Sequence, residues 1–211
     1  MVYQNLKELI QELEKRSDEI PLERKELLNT FAYHISKKIN KNENVDLIFI
    51  CTHNSRRSHM AQIWAQTASE YFKVKNVNCF SGGTEATAFN SRAVKTVQKA
   101  GLRVELKDEN ANPLYFVYYA KNKEPLKCFS KVYSDPFNPQ KEYAAIMTCS
   151  DADEDCPVVF GAEKRFPIRY DDPKEYDGTD LEEIKYMERF EQIGIEMIFV
   201  FKNCKKIIDR G

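Results

Sequence analysis

Hydrophobic positions in the first 44 residues recur every three or four places, a spacing typical of amphipathic helices. One run precedes Pro21 and a second follows it, and proline is favoured in the first turn of a helix. The apolar positions are Leu6, Leu9, Ile10 and Leu13, then Leu27, Leu28, Phe31, Ile35 and Ile39. A polar segment at 40–44 separates them from the rest of the chain. The pattern predicts an N-terminal helical hairpin over residues 1–44.

From Val45 onward, short apolar runs alternate with helical segments, as in βαβ units. The first run, 45–50, is apolar at nearly every position, which is typical of a parallel strand buried on both faces. Further strands are predicted at 77–81, 103–106, 144–148 and 166–169, with helices after Ser58 and over 90–100 and 181–208. The predicted fold is an α/β three-layer sandwich around a central parallel sheet of four to five strands.

Two finer expectations follow from the same pattern. Gly82 and Gly83 should form the turn after the second strand. The last helix should face the core with Ile184, Met187, Ile193, Met197 and Val200.

The segment 111–141 interrupts this alternation. Runs rich in aromatic and β-branched residues at 114–119 and 126–133 flank a polar stretch at 121–125. This composition favours strands, and the pair predicts an inserted β-hairpin. Residues 45–211 are accordingly interpreted as one catalytic domain with an insertion, preceded by the helical extension.

The composition narrows the range of partners. The 211 residues carry 32 basic and 33 acidic side chains, a net charge of −1, so no overall field favours nucleic acid or an anionic membrane. The charged first twenty residues contain no apolar leader, and no later run approaches the ~18 apolar residues of a membrane span. A soluble, cytoplasmic protein is expected. Six scattered cysteines favour thiol or redox chemistry over structural disulfides.

The first chemical motif is Cys-Thr-His-Asn-Ser-Arg-Arg-Ser at 51–58, where the first strand meets the next helix. Such a turn directs unpaired backbone N–H groups and the positive end of the helix dipole toward one point. It is therefore predicted to bind an oxyanion. The candidate binding residues are Thr52, His53, Asn54, Ser55, Arg56 and Arg57.

Within this loop, Cys51 is the candidate nucleophile, because nearby N–H groups and an arginine favour a thiolate. The planar guanidinium of Arg57 can bind two oxygens of a tetrahedral anion. Ser58 can steady the sulfur, and Asn54 can adopt the left-handed conformation that a tight loop requires. The plainer interpretation is an inert buried cysteine. A zinc site through Cys51, His53 and His59 is less favoured, because it lacks a second cysteine pair.

A second motif places Cys149 and Cys156 around an acidic segment after the fourth core strand. On an intact helix, cysteines seven residues apart lie ~10.5 Å apart along the axis. A disulfide requires Cα atoms within about 7 Å. If the two thiols bridge, the segment between them must therefore be a loop or a helix that unwinds. Two unrelated surface thiols remain the alternative.

A third motif, Asp171-Asp172-Pro173, follows the fifth predicted strand. Functional loops of doubly wound sheets gather at the carboxyl ends of the strands, so Asp172 could face the Cys51 loop as a general acid. Acidic residues before proline are also ordinary turn formers.

Together these motifs resemble the thioredoxin-coupled arsenate reductases, which share their fold with the low-molecular-weight protein tyrosine phosphatases. The resemblance runs from about residue 45 to 202, and its landmarks are 51–61, 81–85, 149–153 with 156–157, and 171–173. It implies a Cys51 nucleophile, an Arg57 oxyanion clamp, a stabilising Ser58 hydroxyl and an Asp172 general acid. It also implies arsenate reduction through a Cys149/Cys156 disulfide relay, regenerated by thioredoxin, with no tightly bound cofactor.

Some residues depart from this pattern. The reductases usually carry glutamate where this chain has Gln62, which leaves open whether a monovalent cation binds near Asn54. Arg56 adds a second guanidinium to the loop, and His53 replaces a small residue. The remaining cysteines, Cys79, Cys128 and Cys204, are expected to be structural.

Two other functions remain open. A phosphatase acting on phosphotyrosine or another phosphomonoester requires only Cys51, Arg57 and Asp172, and would form a Cys51 phosphoenzyme. Phosphate and arsenate are nearly isosteric, so the loop alone does not distinguish them. A noncatalytic oxyanion-binding module with redox-sensitive thiols is the third candidate.

Overall fold

The computed structural model describes residues 1–155 and 158–210. Its helices are α1 (Gln4–Lys15), α2 (Leu22–Asn40), α3 (Arg57–Tyr71), α4 (Ser91–Lys99), α5 (Ser150–Asp155) and α6 (Glu182–Ile208). Its strands are β1 (Val45–Cys51), β2 (Val77–Gly83), β3 (Arg103–Asp108), β4 (Leu114–Tyr118), β5 (Leu126–Cys128), β6 (Tyr143–Met147) and β7 (Ala162–Phe166). Short 3₁₀ turns occupy Arg16–Glu19 and Pro173–Tyr176.

The central sheet has four parallel strands in the order β2-β1-β6-β7. Strand β1 lies inside the sheet and is buried at every position except Asp46, because helices cover both faces. Its Leu47 and Phe49 pack toward α3 and α6, whereas Ile48 and Ile50 pack toward the face that α5 covers. This topology confirms the predicted α/β sandwich and fixes the number of parallel strands at four.

The N-terminal helices pack against α6 and share its hydrophobic core. Leu6 and Ile10 of α1 and Leu28 and Phe31 of α2 are completely buried. They belong to the same apolar cluster as the inner face of the sheet. The hairpin therefore buries its apolar stripe against the body of the protein, as an amphipathic helix pair must.

The third predicted strand was assigned to the wrong sheet. Strand β3 pairs antiparallel with β4, and β5 completes a separate three-stranded sheet in the order β3-β4-β5. A parallel core strand must be apolar on both faces, whereas β3 contains no fully buried residue. The antiparallel pairing of β4 with β5 agrees with the predicted β-hairpin.

Three smaller predictions were also wrong. The last parallel strand is 162–166 rather than 166–169. Phe166, Ile168 and Tyr170 are buried in alternation as in a strand, but only the first of them is paired with a neighbouring strand. Gly82 and Gly83 belong to β2 instead of a turn. At Gly82 a Cβ atom would lie 2.4 Å from Cα of Tyr133, so glycine is needed for the close approach of that segment. Ile184 is 53% exposed, because it lies in the first turn of α6 before the helix reaches the core.

None of the helices in the described ranges combines the length and the apolar character needed to cross a membrane.

Close packing between α6 and α3 generates a stability prediction. A Cβ atom at Gly194 would lie 2.7 Å from Cε2 of the buried Trp64 and 3.0 Å from Cδ1 of Leu13. We expect Gly194→Ala to lower the free energy of unfolding by ~1–3 kcal/mol through overpacking. We expect this loss even though alanine at an exposed helix position is about 1 kcal/mol more favourable than glycine.

Urea unfolding measures the change. Lys206→Ala, at an exposed position of the same helix, is the control and should stay within about 0.5 kcal/mol of the wild type. A Gly194→Ala protein as stable as the wild type would contradict the packing described here.

Candidate active site

The Cys51 loop lies at the carboxyl end of β1, between this strand and α3. Asn54 adopts a left-handed backbone conformation with φ +45°, as the sequence predicts. Within the described part of the chain, the backbone N–H groups of residues 53–56 donate to no carbonyl. Glycine at position 83 permits the loop to pass close by, since a Cβ atom there would lie 2.7 Å from the Asn54 nitrogen. The loop thus has the unpaired donors of an oxyanion site.

The side chain of Asn54 is completely buried and links the loop to two other parts of the protein. Its Nδ2 donates to Ser58 Oγ at 2.9 Å, and its Oδ1 accepts from the Lys131 backbone N–H at 2.9 Å. Ser58 Oγ in turn lies 3.1 Å from Cys51 Sγ. The serine hydroxyl is therefore held within hydrogen-bonding distance of the cysteine sulfur.

Arg57 begins α3 and is held by the segment that carries Asp172. Its Nη1 donates to the carbonyl of Tyr170 at 3.0 Å, and its Nη2 lies 2.8 Å from Asp172 Oδ2. Its buried Nε–H has no partner among the described residues. One donor of the guanidinium is thus available to an anion in the loop.

Arg56 was predicted to bind the oxyanion, but its guanidinium is paired with a carboxylate. Its Nε and Nη2 donate to the two oxygens of Asp172 at 2.7 and 3.2 Å. Burial favours a higher pKa for Asp172, but the hydrogen bond from Arg56 and the charges of Arg57 and Arg56 outweigh it and lower the pKa. Asp172 is accordingly an ionised residue at the mouth of the loop.

Cys149 lies at the same edge of the sheet as Cys51. Met147 pairs with Ile50, and the Thr148 N–H donates to the carbonyl of Ile50 at 2.7 Å. The thiol of Cys149 is completely buried, 3.5 Å from Thr52 Oγ1 and 3.4 Å from the Ala152 N–H. The structure therefore brings Cys149 against the oxyanion loop. Its predicted partner, Cys156, lies outside the described residues.

The segment after Cys149 is the short helix α5. Its Asp153 is buried and forms ion pairs with Arg165 and Arg169. The cysteine spacing allowed either a loop or a helix in this segment, and residues 150–155 form a helix. The helix ends at Asp155, directly before the residues that lie outside the described ranges.

Three residues of the insertion that support the loop were not predicted from the sequence. Ser130 Oγ donates to the His53 carbonyl at 2.9 Å, and Asn112 exchanges two hydrogen bonds with the Ser130 backbone. Lys131, buried to 2% exposure, packs its ammonium 4.4 Å from the centre of the Phe129 ring. A polar Ser-Lys pair inside the predicted run 126–133 was the only local signal of this role.

The histidines of the motif occupy different environments. The His53 side chain is 42% exposed and lies 3.7 Å from Glu85. His59 is buried, contacts Ser81 Oγ at 3.1 Å and stacks on Phe89. Burial, with a contribution from Lys131, lowers the pKa of His59 well below its usual value. Across residues 1–155 and 158–210, no group of three potential ligands surrounds a metal position.

Gln62 and the cysteines outside the two motifs lie in the core. Gln62 donates to the Cys79 carbonyl at 3.0 Å. Burial raises the pKa of Cys79 well above its usual value, that of Cys128 to about 12 and that of Cys204 to about 11. These three thiols are neutral at physiological pH, as residues with a packing role are.

No protein-family profile matches the chain. The curated arsenate reductase of Bacillus licheniformis is 29% identical over 154 residues, which cover 70% of this chain and 88% of that protein. The arsenate reductase of Bacillus subtilis is 29% identical over 72% of this chain and 91% of its own length. Arsenate reductase 2 of Staphylococcus epidermidis is 23% identical over 66% and 86%. The resemblance predicted from the motifs is confirmed, and the chain is an enzyme.

Solved structures of low-molecular-weight protein tyrosine phosphatases are also similar. The enzyme from T. tengcongensis is 19% identical, with a TM-score of 0.48, and covers 75% of this chain and 99% of its own. The solution structure from Bacillus subtilis is 20% identical, with a TM-score of 0.48, over 79% and 100%.

The buried Lys131 generates a pH prediction. Burial lowers its pKa to about 8, below the value of about 10.4 in an unfolded chain. Between these values the unfolded state binds more protons, so stability rises with pH. At pH 7 the native state carries the charged form at a cost of up to about 3 kcal/mol. We expect Lys131→Met to raise the free energy of unfolding at pH 7, with a gain that shrinks toward pH 10.

Urea unfolding across this pH range tests the prediction. Lys127→Met, at an exposed position of neighbouring β5, is the control and should follow the wild type at every pH. Parallel pH curves for Lys131→Met and the wild type would show that the ammonium carries no burial cost.

Proposed function

We propose that this chain reduces arsenate to arsenite, with Cys51 as the nucleophile and Cys149 and Cys156 as a disulfide relay regenerated by thioredoxin. The position of Cys149 carries this proposal, because its thiol is buried against the oxyanion loop. A hydrolase needs no second thiol there, whereas a thiol relay does. The similarity to curated arsenate reductases supports the same choice.

In the first step, arsenate occupies the loop, where the N–H groups of residues 53–56 and the available Nε–H of Arg57 stabilise its negative charge. The Cys51 thiolate attacks arsenic, an As–O bond breaks, and the departing oxygen leaves as hydroxide or water. Ser58 stabilises the thiolate before attack, since its hydroxyl lies 3.1 Å from the sulfur. The product is a covalent cysteine–arsenate adduct.

In the second step, the Cys149 thiolate attacks the sulfur of Cys51. The S–As bond breaks, its electron pair reduces arsenic from the +5 to the +3 state, and arsenite leaves as a Cys51–Cys149 disulfide forms. Cys156 then attacks Cys149, which restores the Cys51 thiol and leaves a Cys149–Cys156 disulfide. A dithiol of the thioredoxin class supplies the two electrons that reduce it. Such a donor belongs to a reducing compartment, so we place the enzyme in the cytoplasm.

The second candidate is a phosphatase that hydrolyses phosphotyrosine or another phosphomonoester through a Cys51 phosphoenzyme. The position of Asp172 favours it, because this carboxyl group lies 2.8 Å from Arg57 at the mouth of the loop. In its protonated form, an acid in this place would donate to the leaving oxygen of an ester, although the two arginines that lower the pKa of Asp172 keep that form scarce at neutral pH. The same acid can assist arsenate reduction, because an oxygen of arsenate leaves more readily as water once it is protonated.

Replacement of Cys156 distinguishes the two functions. We expect Cys156→Ser to lose thioredoxin-dependent arsenate turnover, because the Cys51–Cys149 disulfide can no longer be passed on. Hydrolysis of aryl phosphates should continue, since it requires neither Cys149 nor Cys156. Both activities are measured on the same preparation.

Cys204→Ser is the control, because this buried thiol lies in α6 and should leave both activities unchanged. Peptide mapping after one arsenate turnover should find Cys51 bridged to Cys149 in the Cys156→Ser protein. Undiminished arsenate turnover in that variant would rule out the relay.

The arginine pair on Asp172 predicts the pH dependence of phosphate ester hydrolysis. A general acid must be protonated, so kcat/KM falls as pH rises through the pKa of the acid. The hydrogen bond and charge of Arg56 lower the pKa of Asp172, so Arg56→Met should raise it. We expect the high-pH limb of the profile to move upward by roughly one pH unit.

Arg189→Met is the matched control, because Arg189 donates to the neighbouring Asp171 at 3.1 Å. Its profile should coincide with that of the wild type. An unmoved limb in Arg56→Met would mean that Asp172 is not the acid.

A further inference from the structure

Arg24 of α2 reaches across the protein to the segment that carries Asp172. Its Nε and Nη2 donate to the two carboxylate oxygens of Glu196 in α6, at 3.0 and 2.9 Å. The same Nη2 donates to the backbone carbonyl of Arg169 at 3.0 Å. The side chains of Arg24 and Glu196 are only 18% and 4% exposed. One guanidinium thus ties the N-terminal hairpin both to α6 and to the strand-end segment.

Glu196 extends this connection by one residue. Its Oε2 accepts from the Tyr170 hydroxyl at 2.7 Å, and Arg24 lies 5.1 Å from the centre of the Tyr170 ring. Burial, with Glu196 beside it, raises the pKa of the Tyr170 hydroxyl well above its usual value, so it remains a donor. Because the buried charges of Arg24 and Glu196 are paired and hydrogen-bonded, the orientations of Arg24, Glu196 and Tyr170 are fixed relative to one another.

Tyr170 connects this network to the oxyanion loop. Its backbone carbonyl accepts from Arg57 Nη1 at 3.0 Å, and Asp172, two residues later, pairs with Arg57 Nη2 at 2.8 Å. Its backbone N–H donates to the carbonyl of Thr148 at 3.0 Å. The position of Tyr170 therefore determines where the guanidinium of Arg57 points.

We propose that Arg24 is a positioning residue for the active site, which through Glu196 and Tyr170 holds Arg57 and Asp172 in place over the Cys51 loop. This inference rests on the proposed oxyanion chemistry of that loop and gives the N-terminal hairpin a part in it. Arg24 touches neither the substrate nor the reacting sulfur. Its loss should loosen the 169–172 segment and misplace both residues that depend on it.

The experiment compares Arg24→Met with Arg16→Met. Arg16 is a matched control, because it also links the N-terminal region to α6 through a carboxylate, Glu191, at 2.6 Å. Within the described structure its hydrogen bonds go to Glu19 and Glu191 and not to residues 169–172. Thermal unfolding of both variants shows how much stability each arginine contributes.

The first readout is the dependence of kcat/KM on the leaving group of an aryl phosphate. Phenyl phosphate requires a well-placed acid, whereas 2,4-dinitrophenyl phosphate releases a stable phenolate without one. We expect Arg24→Met to lose at least about tenfold on phenyl phosphate, because small displacements of catalytic groups are costly. On dinitrophenyl phosphate it should lose clearly less. Arg16→Met should show no such difference between the two substrates.

The second readout is the affinity for inorganic phosphate, measured by calorimetry, which requires no turnover. A loosened Arg57 should weaken binding in Arg24→Met by about fivefold or more, by the same displacement argument. Arg24→Lys keeps the charge without the planar fork and should fall between the wild type and Arg24→Met. If Arg24→Met does not fold, Tyr170→Phe tests the same connection by removing one hydroxyl.

The outcomes separate this inference from the proposed function. If Arg24→Met matches Arg16→Met in leaving-group dependence and in phosphate affinity, the positioning role is wrong, whatever the enzyme reduces or hydrolyses. If the wild type turns over neither arsenate nor aryl phosphates, the proposed function is wrong. The phosphate affinities of the two variants would then still decide the role of Arg24.

Discussion

The buried amide of Asn54 holds together three segments that are far apart in sequence. One end of this side chain binds the first turn of α3 through Ser58, and the other binds the backbone of the insertion at Lys131. The backbone of Asn54 itself is left-handed, which lets the chain turn tightly at this position. An aspartate would lack the donor for Ser58, and an alanine would leave a buried backbone N–H without a partner. The geometry of the loop therefore depends on a side-chain amide, which can donate one hydrogen bond and accept another at the same time.

A concentration of positive charge surrounds this loop, and Asp172 balances much of it. Two guanidiniums share one carboxylate, and a third arginine, Arg24, is neutralised by Glu196 a short distance away. Burying an arginine is tolerable only when its donors are satisfied. The buried Nε–H of Arg57 has no partner among the described residues. A bound tetrahedral anion would satisfy this donor, which supports the proposed oxyanion site.

Local patterns predicted the elements and the loop well, because strand burial, helical spacing and the strand-to-helix turn are encoded within a few residues. The positions of Cys51, Arg57 and Ser58 follow from such a turn. Long-range pairing was not predictable in the same way. The guanidinium of Arg56 points to a carboxylate 116 residues later, and nothing in its neighbours distinguishes this from an oxyanion contact. Strand β3 was misplaced because a short strand does not carry the identity of its partner, which depends on distant residues. Ser130 and Lys131 were missed for the same reason.

The separation of these partners along the chain has a consequence for synthesis. Asn54 meets Lys131 across 77 residues, and Arg56 meets Asp172 across 116. Contacts of such long range form late, because the chain between them must first be ordered. On the ribosome, the segment with Cys51 emerges well before the residues that give the loop its shape. A newly made chain thus carries an incomplete Cys51 loop, which reaches its final shape only when the C-terminal part of the protein has folded onto it.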